Sequence, residues 1–208
     1  MASTTATTIA TRAGRLSQSA VRVVGRSERA SRSGIWVGIF AITMSFMAFT
    51  SALFVREGSN DWGHLVLPSI LYLNTLALLA SSVTFELSRR QMGLTSGGRL
   101  RSQGFAGVWL LVTLLLGMAF CVGQYFGWQD LREEGIYLAT NPNSSFFYVL
   151  TFIHVLHLTA GIGAFLYVLG RLAANGTVRR SFFDNTAVYW HFMGALWVYL
   201  FMLCRMKL

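Results

Sequence analysis

The 208 residues are 54% hydrophobic and only 12% charged, which is more apolar side chain than one soluble core of this length can bury. The formal net charge of +9 would suggest a nucleic-acid partner in a soluble protein, but the basic residues lie between the apolar runs, a distribution that sets membrane orientation. Cys121 and Cys204 lie inside apolar runs at no metal or redox spacing, so no disulfide framework is expected.

Residues 1–33 are rich in Ser, Thr, Ala and Arg with Glu28 as the one acid, a composition that cannot pack a core. They read as a disordered basic cytoplasmic tail drawn to anionic lipid, ahead of an organelle transit peptide. Residues 34–208 read as an all-α integral membrane bundle of five transmembrane helices. The spans are Gly34–Val55, Leu65–Phe85, Phe105–Trp128, Ser145–Gly170 and Asn185–Cys204, each free of Asp, Glu, Lys and Arg. About 20 helical residues cross the hydrocarbon layer, so each run suffices.

Lys and Arg are retained on the cytoplasmic side of short loops. With the N-terminus inside, only Arg56, Arg132, Arg205 and Lys207 of the 17 basic residues fall outside, next to Glu57, Asp61, Asp130, Glu133 and Glu134. The expected orientation is therefore N-terminus cytoplasmic, C-terminus outside. Small residues at Gly34/Gly38, at Gly123/Gly127 and along Ala41, Ser45, Ala48 and Ala52 mark places where helices can approach closely.

Ionisable groups inside a span are costly and are functional candidates by default. Glu86, at the inner end of the second span, has Arg90 at i+4 and reads as an interfacial ion pair, ahead of a proton-gathering role with His157 and His191. His154 and His157 are three apart and share a helix face, as two metal or haem ligands would. The simpler reading is that both are neutral and bonded to neighbouring helices, because only His191 could add a facing ligand. Asn74 and Gln124 read as helix-to-helix polar contacts. Trp62, Tyr125, Trp128, Tyr148, Tyr189, Trp190 and Trp197 read mostly as interfacial anchors near span ends. Asn143-Ser144-Ser145 has the form of a glycosylation sequon. No phosphate loop, nucleophile elbow or zinc signature is present.

Four ordered segments carry a family resemblance. They are Asn74 through Thr84, Gly123-Gln124-Tyr125 with Trp128, Phe146-Phe147 through His154 and His157 to Gly161, and Tyr189-Trp190-His191-Phe192-Met193-Gly194-Ala195-Leu196-Trp197. Together they resemble the cytochrome c oxidase subunit III family of the haem-copper oxidases, in its short five-helix type. Two departures stand out: Thr43 or a neighbour within Ala41-Ile42-Thr43-Met44 lies where the family often has a glutamate, and Gly194 where it usually has an aspartate. The chain lacks the carboxylates for any role tied to those two positions.

The resemblance implies an accessory, non-catalytic subunit of a proton-pumping terminal oxidase that reduces dioxygen to water in aerobic respiration. It implies no haem, copper or other metal in this chain, with haem and copper held by partner subunits. The implied partners are subunit I, subunit II and a candidate small subunit IV, with structural phospholipid and no nucleic acid. The implied place is a bacterial plasma membrane, ahead of a mitochondrial inner membrane. A ubiquinol oxidase subunit III and a nitric oxide reductase accessory protein share the pattern. A transporter or a membrane haem protein is a further alternative, although a transporter usually shows broken helices or repeats, and the prolines here are only Pro68 and Pro142.

Overall fold

The computed structural model describes residues 32–58, 67–95 and 97–207. The basic tail through residue 31, Asp61, Trp62 and the first two residues of the second expected span lie outside them. Five helices are long and apolar enough to cross a membrane: α1 (Arg32–Glu57), α2 (Ile70–Arg90), α3 (Ala106–Glu133), α4 (Pro142–Asn175) and α5 (Arg180–Lys207). Three short strands connect their ends: β1 (Met92–Leu94), β2 (Arg99–Ser102) and β3 (Thr177–Arg179).

Each helix other than α2 begins before or at the edge of the charge-free run that announces it, and all five continue past its end. Charged and cap-forming residues are excluded from a hydrocarbon run but not from helical turns that emerge into the headgroups. The limits of α4 follow from its caps. Pro142 occupies the first turn, where a missing N–H costs nothing, and Ser144 Oγ accepts the Asn141 N–H at 3.2 Å. The other end stops at Gly176, whose φ of 64° is left-handed and disfavoured for any residue with a Cβ. α2 starts only at Ile70 because Pro68 interrupts the chain just before it.

The strands form an antiparallel sheet in the order β1-β2-β3, an addition to the helical bundle that the sequence does not announce. Leu100 and Val178 are cross-strand partners, both buried, and they turn the apolar side of the sheet toward the helix ends. Arg99 faces Arg179 across the ladder, and Arg101 is exposed, so the sheet is strongly basic. It closes the same end of the bundle as Glu86, Arg89 and Arg90.

α5 is the central helix. Half of its most apolar stretch is buried, against 28% to 39% for the other four. Its Trp190 donates through Nε1 to Ser81 Oγ of α2 at 3.1 Å, and its Trp197 donates to Thr75 Oγ1 of α2 at 3.0 Å. Tyr189 Oη donates to the His157 carbonyl of α4 at 2.8 Å, and Tyr199 Oη bonds Thr50 Oγ1 of α1 at 3.0 Å. α1 lies outermost, inserting Phe46 and Leu53 and pairing Glu57 with Lys207 at 3.0 Å.

These contacts correct two expectations. Trp190 and Trp197 are core residues, each 1% exposed, and Tyr148 and Tyr189 also turn inward; Tyr125 keeps the exposed position of an anchor. In the small-residue rows, Gly123 and Gly127 do sit against α2, but Gly34, Gly38, Ala41, Ser45, Ala48 and Ala52 are all exposed on the side of α1 turned away from the bundle.

Candidate functional site

α4 presents His154 and His157 at a spacing of three, which on a 3.6-residue helix separates the side chains by about 60°. That angle sends them to different neighbours. His154 is fully buried, its ring 5.8 Å from Phe120 of α3 and 5.2 Å from Trp197 of α5. His157 is half-buried, turned toward Phe46 of α1 at 6.1 Å, with Nδ1 bonded to the Ile153 carbonyl of its own helix at 2.8 Å. His191 is exposed on α5 with its ring 5.9 Å from Phe85. The three imidazoles therefore do not converge, and no three His, Cys, Asp or Glu side chains cluster among the described residues. The expectation that His154 bonds a neighbouring helix is also corrected: neither ring nitrogen has a hydrogen-bond partner in the protein.

Trp190 occupies the place where four helices meet. Gly117 of α3 and Gly161 of α4 form the walls of its slot: a Cβ at Gly117 would come within 2.7 Å of the indole, and one at Gly161 within 3.3 Å. Phe165 packs edge-on at 4.6 Å, and Phe85 of α2 then stacks on Phe165 and Phe183 at 4.8 and 5.4 Å. Edge-to-face pairs at these separations complement ring quadrupoles. The buried indole N–H needs an acceptor, which Ser81 supplies.

Asn74 and Gln124 lie across the α2–α3 contact, Asn74 packed directly on the Gly123 backbone. Both are buried, yet Asn74 Nδ2 and both polar atoms of Gln124 find no partner in the protein, so the expected helix-to-helix hydrogen bonds from these atoms are absent. Interhelical polar bonds come instead from Thr84 Oγ1 with Thr113 Oγ1 at 2.8 Å, Ser88 Oγ to the Ala106 carbonyl at 2.8 Å, and Trp128 Nε1 to Thr151 Oγ1 at 3.1 Å. Hydroxyls in a hydrophobic run read as weak signals, and only the tertiary fold shows which of them cross between helices.

Glu86 is held by both following arginines, Arg89 at 3.0 Å and Arg90 at 3.5 Å, at the end of α2 beside the basic sheet. The two departures from the family pattern also have local explanations. Thr43 bonds back to the Ile39 carbonyl at 2.8 Å, the usual arrangement of a threonine within an apolar helix. Gly194 faces α2, where a Cβ would meet Ser82 Oγ at 3.3 Å. Asn143 of the sequon is buried, its Oδ1 accepting the Ser144 N–H at 3.0 Å, and so is closed to a glycosylating enzyme.

The sequence model of the family described as Cytochrome c oxidase subunit III matches residues 22–206. The chain belongs to the cytochrome c oxidase subunit III family. It is 34% identical over 173 residues to the cytochrome c oxidase subunit 3 of Corynebacterium diphtheriae, covering 80% of this chain and 78% of that one. Identity to the probable cytochrome c oxidase subunit 3 of Mycobacterium leprae is 34% over 129 residues, 61% of each chain, so the match spans about three-fifths of that relative's length. The probable quinol oxidase subunit 3 of Staphylococcus saprophyticus is 27% identical over 183 residues, 82% of this chain and 86% of that one. The subunit III segments quoted from the sequence now have a physical content. Asn74, Gly123 and Gln124, His154, and Trp190 with Trp197 lie on the surfaces where α2, α3, α4 and α5 meet, while His157 turns toward α1.

Proposed function

We propose that this chain is the accessory, non-redox subunit III of a proton-pumping haem-copper oxidase, bound to subunits I and II in a bacterial plasma membrane. The family match over residues 22–206 carries this reading, because it includes all five helices. In this reading haem and copper belong to the partner subunits. The divergence of His154, His157 and His191 supports that division, since each ring is committed to a different neighbour. The cytoplasmic face is then the end carrying the sheet with Arg99, Arg101 and Arg179, as the retention of basic residues on that side requires. Large apolar side chains exposed on α1, among them Trp36, Phe40 and Phe54, are available to phospholipid and neighbouring subunits.

The test is to tag the C-terminus, solubilise mildly and examine the purified material by mass spectrometry and reduced-minus-oxidised spectra. A haem-bearing subunit I co-purifies, and all haem leaves when this chain is separated. A chain that purifies alone, or keeps haem in isolation, overturns the assignment. The relative named as a quinol oxidase subunit keeps a second reading open, with quinol rather than cytochrome c as donor. A copper-binding subunit II in the same preparation selects cytochrome c.

Glu86 has a structural part in this proposal. Its side chain is about one-third exposed and shares two arginines at an interface, where such pairs contribute little. Glu86→Gln is expected to change stability by about 0.5 kcal/mol or less and to leave proton uptake and turnover lifetime unchanged. A shortened turnover lifetime at normal stability would instead assign Glu86 to gathering protons.

A further inference from the structure

Among the described residues, seven side-chain polar atoms are buried without a partner in the protein; Gln91 Oε1 and Arg99 Nε lie at the sheet end, and the other five, Asn74 Nδ2, Gln124 Nε2 and Oε1, and His154 Nδ1 and Nε2, lie within the helices. They come from α2, α3 and α4, and all three residues are at least nine-tenths buried. A chain of contacts places them at one level of the bundle. Trp197 stacks beside His154 at 5.2 Å and donates to Thr75, the residue after Asn74. Phe120 touches both His154 and Trp197, at 5.8 and 4.7 Å, and lies one turn before Gln124 on α3. Asn74 rests on Gly123, the residue before Gln124.

Dry, such a layer is costly inside a membrane bundle, because neither lipid nor bulk water can satisfy these groups. Its chemistry is also balanced. The two amide nitrogens donate, Gln124 Oε1 accepts, and a neutral imidazole does one of each. A water molecule, with two donors and two acceptors, complements that set, whereas two amides and one imidazole are a poor ligand set for a divalent cation. We infer that Asn74, Gln124 and His154 bind one or more ordered water molecules inside the bundle.

The inward face of α4 is polar on one side of His154 and apolar on the other. Between His154 and the Pro142 end, Ser144, Tyr148 and Thr151 occupy the same inward face, all buried. Toward the other end that face becomes Leu158, Gly161 and Phe165, closed by Trp190.

The decisive experiment is a structure of this chain, in whatever complex it co-purifies with, at a resolution that shows ordered water. Density is expected at hydrogen-bonding distance, about 2.7–3.2 Å, from at least two of the three side chains. Direct bonds among the three with no density between them, or density on fewer than two, overturns the site. A second readout is Gln124→Met, which keeps the shape and removes both amide atoms. Loss of a satisfied network lowers Tm; a raised Tm would mean the amide was unsatisfied and the layer dry. Both readouts concern the interior of this chain and stand whichever subunits accompany it.

Discussion

Trp190→Ala is expected to be the most damaging truncation in the chain, costing about 3–5 kcal/mol, which for a chain of this length lowers Tm by roughly 6–20 °C. Between helices in lipid there is little hydrophobic driving force, since hydrocarbon solvates an indole as readily as a protein core does. The loss is instead one of contact. The slot between Gly117 and Gly161 is shaped to the ring, and neither wall has a side chain that can move in to fill the void. Phe165 would lose its edge-on partner, and through it the stack onto Phe85. Trp190→Phe separates the two contributions: it retains most of the ring volume and removes the 3.1 Å bond to Ser81. A cost of about 1 kcal/mol is expected there, because Ser81 still donates to the Leu78 carbonyl at 2.6 Å. Thermal unfolding in a detergent or nanodisc with native lipid measures both. Equal costs for the two substitutions would place the energy in the hydrogen bond and not in the slot.

The role of Trp190 also shows what a linear sequence conveys about a bundle of this kind. Runs without charge give depth along the membrane normal, and the arginines give direction, so the five helices and their basic end are legible from composition alone. Azimuth is not. Trp190 and Trp197 stand near a span end and in the middle of a familiar motif, and by depth alone an indole belongs at the interface. Seven residues apart, however, they share the face that α5 turns to α2, and Ser81 and Thr75 await their N–H groups. The α4 histidines present the same difficulty on a smaller scale. A spacing of three reads as one face, but about 60° is enough to divide the core around Trp197 from the α1 contact at Phe46. The sheet escaped for a different reason. Strands of three or four residues, one of them Arg-Leu-Arg-Ser, are too short for an alternating pattern to rise above the charge that marks a loop.

The small-residue rows make that distinction quantitative, and Gly123→Val is expected to be nearly as disruptive as the loss of Trp190. A Cβ at Gly123 would overlap the amide of Asn74, a buried residue of α2 facing α3, so relief requires that amide to leave its place or α2 and α3 to separate. Overpacking of a rigid contact costs about 1–3 kcal/mol, and here the displaced amide is also one of the groups with an unmet bonding need. The expected result is a chain that accumulates poorly and unfolds at markedly lower temperature. Gly38→Ala, on the same kind of sequence pattern, is expected to have the opposite sign. Nothing lies within 4 Å of a Cβ at Gly38, so alanine brings only its better helix propensity, a gain of up to about 1 kcal/mol. The contrast is measured by unfolding each variant as purified. If Gly38→Ala stabilises the separated chain but weakens the assembled complex, the exposed row on α1 is where a partner helix comes close, and the same spacing of small residues serves the inside of the bundle in α3 and its outside in α1.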